Sequence, residues 1–218
     1  MPKTRRGGKR GAPPPPPITK DVTSLISERE RKREEVDLTL SVLRDVETEY
    51  NVILEDVQLA KMGKRGGGVM AYYDSQGNLA VNEKYFDSAT MNAAYDMCVQ
   101  SGFHPGRGNK TGLEAVVAHE MGHRLTDIAG IRAGMGKWAI DDIANKIVAN
   151  AASSLNMAHG DVRKSISGYA QHNNAECVAE AFADVYCNGS KASSASRAVV
   201  NALNNALWYN SSVRASGR

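Results

Sequence analysis

Apolar residues change their spacing several times along this chain, and each change predicts an element. Val36, Leu40, Leu43, Val46 and Tyr50 recur three or four positions apart, which puts them on one stripe of an amphipathic helix. A charged run, SERERKREE, precedes that stripe and reads as its solvated face. The segment NVILEDVQLAKM is rich in β-branched and apolar residues and predicts a strand, ended by the break GKRGGG. Two short runs then flank DSQGN in VMAYYDSQGNLAVN, the pattern of a β-hairpin. Alternation along its first strand sends one of Tyr72 and Tyr73 to the core and the other to solvent.

Downstream the period is helical. TGLEAVVAHEMGHRLTDIAG opens with Thr111 and Glu114 in capping-box spacing and reaches a stop at Gly130. KWAIDDIANKIVANAASSL places Trp138, Ile143, Ile147 and Ala151 at helical spacing, and NNAECVAEAFADVYCNG carries an Asn cap before it and Gly189 after it. A last amphipathic helix carries Val199, Val200, Leu203 and Leu207. The order predicts an α+β fold: a small, mostly antiparallel sheet with the hairpin as edge strand, packed on helices. The loops at about 129–137 and 157–168 are expected at the rim of any cleft.

Composition narrows the picture. Residues 1–20 contain RRGGKRGAPPPPP, which cannot bury a core and predicts a disordered or polyproline tail ahead of one domain over 21–218. A solubilising leader is the plain reading of the tail; docking or packaging is the sharper one. The 218-residue chain has a formal charge of +3, so nucleic acid is an expected partner only through the tail. Cys98, Cys177 and Cys187 show no paired spacing and read as reduced thiols. With no apolar segment behind the N-terminal charges and no membrane-length apolar run, a cytoplasmic protein without membrane association is expected.

The candidate chemistry begins with VVAHEMGHRL. His119 and His123 are four residues apart, so on a helix they project from one face and can reach one ion. In such a pattern the histidines bind zinc while the glutamate, here Glu120, activates water. A helix that merely carries two histidines is the plainer alternative. Gly122 bares one side of the helix at a cost in helix stability, which suits close approach by a neighbour. A peptide-hydrolysing zinc site needs a third protein ligand and an open fourth position. Position 129 is Ala, so the histidine that a metzincin would place there is missing. The acidic helix offers Glu176, Glu180 and Asp184 along one face; repulsion among them would be relieved by a cation, and a solvated surface is the alternative.

HEMGHRLTDIAG and SGYAQHNNAECVAEAFADVY together resemble the active-site segments of gluzincin zinc peptidases. The likeness is to the family that includes the catalytic domain of anthrax lethal factor and related bacteriophage-borne peptidase domains. It covers roughly residues 113–187. The resemblance implies a zincin-like fold and one Zn²⁺ held by His119, His123 and Glu176, with Glu120 as general base. It also implies a tyrosine, Tyr169, on the oxyanion and Glu180 orienting a ligand histidine, with Asp127 and Asp184 as weaker candidates for similar support. Cys177 and Val178 stand where the toxin has an aromatic pair, so the toxin's specificity is not implied.

The expected function is therefore a zinc-dependent endopeptidase acting on a protein or peptide, gripped as an added strand along the hairpin from Val69 to Asn82. The alternative is a catalytically silent zinc-stabilised structural or binding protein, such as a phage particle component. His104, His159 and His172 stand in polar or Gly-flanked segments and read as surface histidines, His172 lying close enough to Tyr169 to assist it. Cys177 reads as a small core residue.

Overall fold

A computed structural model describes residues 18–20, 32–52, 56–62, 68–74, 77–136 and 139–215. Among these residues, seven α-helices and a four-stranded mixed sheet make an α+β fold dominated by helices. The strands are β1 (Ile18–Lys20), β2 (Asp56–Lys61), β3 (Ala71–Tyr73) and β4 (Asn78–Asn82). The helices are α1 (Arg33–Tyr50), α2 (Ser88–Gln100), α3 (Gly112–Arg132), α4 (Ile140–Leu155), α5 (His159–Lys164), α6 (Asn174–Asn188) and α7 (Ser194–Ala215).

The sheet order is β1-β2-β4-β3. β3 and β4 form the antiparallel hairpin with Tyr72 opposite Ala80, and β1 pairs antiparallel with β2. β2 and β4 run parallel, with Val57 opposite Leu79, so the sheet is mixed. The parallel pairing arises because the hairpin folds back with its second strand, not its first, against β2. That leaves β3 at the sheet edge.

β1 also moves the expected tail boundary. Ile18 and Thr19 lie within the segment assigned to the disordered tail, yet Ile18 pairs with Lys61 and Thr19 with Ala60; two β-branched residues just past the proline run suffice for a short edge strand. The residues before them, the segment 21–31 with most of the charged run, and Trp138 lie outside the described residues.

α3 is the hub of the fold. It packs against α1, α2, α4, α6, α7 and β3, and sixteen of its 21 residues are buried. A helix enclosed on so many sides has apolar residues all round and no single apolar stripe. Its start is fixed by the capping box: Glu114 N donates to Thr111 Oγ1 at 3.2 Å, and Thr111 N donates to Glu114 Oε2 at 2.7 Å. α1 lays Val36, Val42, Leu43, Val46 and Tyr50 into the core, and Val199, Val200, Leu203 and Leu207 do the same from α7. Neither tyrosine of β3 follows the expected in-or-out alternation. Tyr72 and Tyr73 are both half-buried, because the Tyr73 hydroxyl is drawn to Asp127 on α3 at 3.1 Å.

Replacing Thr111 by Ala removes one half of the box at the start of the hub helix. Urea unfolding is expected to show a loss of about 1 kcal/mol with an unchanged slope; wild-type stability in that variant would mean the cap contributes nothing.

Candidate metal centre

α3 and α6 cross at Gly122. A Cβ built there would lie 2.7 Å from Ala179 Cα, closer than real Cβ atoms approach, and a tight 3.1 Å from Phe182 Cβ. The missing side chain therefore sets how closely the two helices approach. Within one turn of that contact, His119, His123 and Glu176 face one another.

The Nε2 atoms of His119 and His123 lie 3.2 and 3.3 Å from Glu176 Oε2. One ligand atom from each residue lies within 4.8 Å of the others, so the three can hold a metal ion. Among the described residues no fourth His, Cys, Asp or Glu joins the cluster. Glu176 Oε2 is buried and has no partner in hydrogen-bond geometry; a buried carboxylate oxygen left so is costly unless something else satisfies it. Glu176 sits in the first turn of α6, where the Asn173 side chain caps the helix by accepting from Glu176 N at 2.8 Å. The cap thus fixes the backbone from which the carboxylate projects.

The electrostatics favour positive charge at this point. Burial opposes a charged His119, but the carboxylates of Glu176 and Glu180 outweigh it and hold its pKa well above the usual imidazole value. Burial would likewise raise Glu176, yet the two imidazoles hold its carboxyl far below the usual range. A cation shared by these groups meets the same demand as a proton.

Glu120 is buried beside the cluster. Burial pushes its carboxyl up against the pull of His119 and His123, and the backbone N–H of Tyr73 donates to it. Tyr169 stacks on the His119 ring at 5.6 Å with the planes 19° apart. Burial, then the negative charges of Glu176 and Glu120, push its phenol up, and its hydroxyl hydrogen-bonds Glu176. It is a proton-bearing donor at the edge of the cluster.

Glu180 reaches the opposite side of the His119 ring, with Oε1 2.8 Å from Nδ1. The other two acidic candidates bond to other groups. Asp127 pairs with the Tyr73 hydroxyl and with Arg124, tying α3 to the hairpin. Asp184 accepts from Asn188 Nδ2 at 2.8 Å and from Ser193 N at 3.0 Å, closing the turn after α6. These contacts tie α3 to the hairpin and α6 to the segment that follows it.

His104 departs from its expected place at the surface. Its side chain is largely buried, with Nδ1 2.9 Å from Glu180 Oε1, and its ring stacks on Tyr95 at 5.2 Å. No motif spacing announces a loop residue 15 positions upstream of His119; its flanking Phe and Pro are the only local signs of enclosure. His159 and His172 are exposed, although the His172 ring lies 5.1 Å from that of Tyr169. Cys177 is fully buried.

A cavity of about 240 Å³ opens onto the centre, lined by His119, Glu120 and Tyr169 together with Val69, Cys98 and Phe103. Its rim comes from the start of β3 and the loop at 103–104, whereas no described residue of the loops expected there, near 129–137 and 157–168, lines it. No protein-family model, curated protein or solved structure matches the chain.

Gly122→Ala tests whether helix spacing sets the ligand cluster. The added methyl is expected to cost about 1–3 kcal/mol and to weaken metal binding in calorimetric titration. Wild-type affinity in a folded variant would show that the cluster does not depend on this approach.

Proposed function

We propose that this chain is a zinc-dependent endopeptidase, with His119, His123 and Glu176 as ligands of one Zn²⁺. The observation that carries the reading is the unpartnered, buried Glu176 Oε2 at 3.2 and 3.3 Å from two imidazole nitrogens. Ligand atoms around a tetrahedral ion with bonds of about 2.0–2.1 Å stand roughly 3.3 Å apart. Two nitrogens and one oxygen are also a donor set suited to zinc. A structural site would close with a fourth protein ligand, and none stands in the cluster among the described residues.

When bound, zinc supplies Lewis acidity to the scissile carbonyl and to water. The chain's own residues supply the rest. Glu120, raised by burial and outside the ligand cluster, accepts a proton from the attacking water on its carboxylate and passes it to the leaving amine. Tyr169 donates its hydroxyl hydrogen to the oxygen that becomes negative in the tetrahedral state. The phenol keeps that hydrogen because burial and neighbouring carboxylates disfavour its loss.

The substrate backbone has a natural seat on β3. Asp74 N donates to Asn78 O, and Met70 O accepts from Asn82 N, so even-numbered residues of β3 bond to β4 and Ala71 and Tyr73 turn their backbone groups outward. Tyr73 N–H is taken by Glu120. Ala71 is left to pair with an extended peptide, which would lay a carbonyl over the centre irrespective of side chains. No helix among the described residues is long and apolar enough to cross a membrane.

Glu120→Gln is expected to retain one Zn²⁺ per chain while peptide-library hydrolysis falls by at least about 10²-fold; full activity in that variant would reject the assigned base. Tyr169→Phe is expected to keep the metal and lose about 10²–10³-fold in kcat, and unchanged kcat would remove the tyrosine from the oxyanion.

A further inference from the structure

Glu180 stands outside the ligand cluster, yet it is the most enclosed charged group near it, with a side chain 1% exposed. It gathers three partners. His119 Nδ1 lies at 2.8 Å and His104 Nδ1 at 2.9 Å, both on Oε1, while the Ser167 hydroxyl donates to Oε2 at 2.7 Å. A carboxylate can only accept, so both imidazoles present Nδ1–H to it. In the neutral ring that a metal requires, this leaves the His119 Nε2 lone pair on the side of Glu176 and His123. The ring orientation and tautomer of His119 thus follow from where Glu180 is held.

His104 is itself well anchored. Its ring lies flat on Tyr95, the planes 4° apart at 5.2 Å. The loop that carries it is bonded to the Tyr169 segment through Gly168 N to Gly102 O at 2.8 Å and Tyr169 N to Phe103 O at 2.9 Å. One short loop therefore holds Tyr169 through its backbone and Glu180 through a side chain.

We propose that His104 is a positioning residue of the metal centre, whose Nδ1–H fixes the Glu180 carboxylate and, through it, the His119 ring. The proposal rests on the metal-centre reading above and gives His104 no contact with substrate. Two contributions of His104, its ring packing on Tyr95 and its hydrogen bond to Glu180, can be separated by substitution. His104→Asn keeps an amide N–H close to the Nδ1 position and discards most of the ring. His104→Phe keeps a ring for Tyr95 and discards the donor.

The readouts are Zn²⁺ affinity by chelator competition and the visible absorption of Co²⁺-loaded protein, with circular dichroism to check folding. His104→Asn is expected to bind Zn²⁺ much as wild type does, with a similar Co²⁺ spectrum. His104→Phe is expected to bind about 10–100-fold more weakly with an altered spectrum. A folded Phe variant with wild-type affinity overturns the proposal, and so does an Asn variant that loses affinity. If His104→Phe does not fold, the Asn variant decides alone. A wild-type chain that takes up no Zn²⁺ overturns the metal-centre reading together with the proposal, whereas wild-type uptake with an unaffected Phe variant overturns the proposal alone.

Discussion

The contact between Gly122 and Ala179 governs what the rest of the molecule can do. Two histidines on α3 and a glutamate on α6 reach a common point only if the helix backbones come close, and the absent side chain at Gly122 permits that. Glycine within a helix costs about 1 kcal/mol relative to alanine. Here the cost is set against packing of α3 on α1, α2, α4, α6, α7 and β3. The sheet and the remaining helices pack around α3 and α6, and the candidate ligands sit at their crossing.

Around that crossing the charges are arranged in layers. Glu176 faces the two histidines on one side, Glu180 faces His119 on the other, and Glu120 lies beside them with the Tyr73 N–H as donor. Burial raises the cost of every one of these carboxylates, and each is offset by a donor or imidazole; at Glu176 Oε2 the offset comes from two imidazole nitrogens at 3.2 and 3.3 Å that are not in hydrogen-bond geometry. Glu180 shows how complete the offset can be: burial would raise it, but His104 and His119 hold it down to about 2. An oxygen that faces two imidazole nitrogens without hydrogen-bond geometry is where the triad could hold a cation, and the cleft lined by Glu120 and Tyr169 opens onto it.

Much of this was legible in the residue pattern because it is local. Thr111 and Glu114, the DSQGN turn and the His119–His123 spacing each depend on residues within one or two turns of one another, and their geometry follows from helix or hairpin periodicity. Glu176 was legible as one of three acidic candidates on a helix and became a particular one only through resemblance. What stayed hidden is long-range. The parallel pairing of β2 with β4, the addition of Ile18–Lys20 to the sheet and the burial of His104 on Glu180 join segments whose meeting no local period encodes. α2 was missed for another reason: only Met91 and Tyr95 of its 13 residues are buried, too few to mark an apolar stripe.

The central claim, that two imidazoles and one carboxylate share an ion at the crossing of α3 and α6, is tested most directly by X-ray absorption at the zinc edge on purified, zinc-loaded protein. The account expects one ion per chain in a shell of nitrogen and oxygen at about 2.0–2.1 Å with two imidazole signatures. A shell containing sulfur, a shell without imidazole, or a chain that retains no zinc after buffer exchange would contradict it.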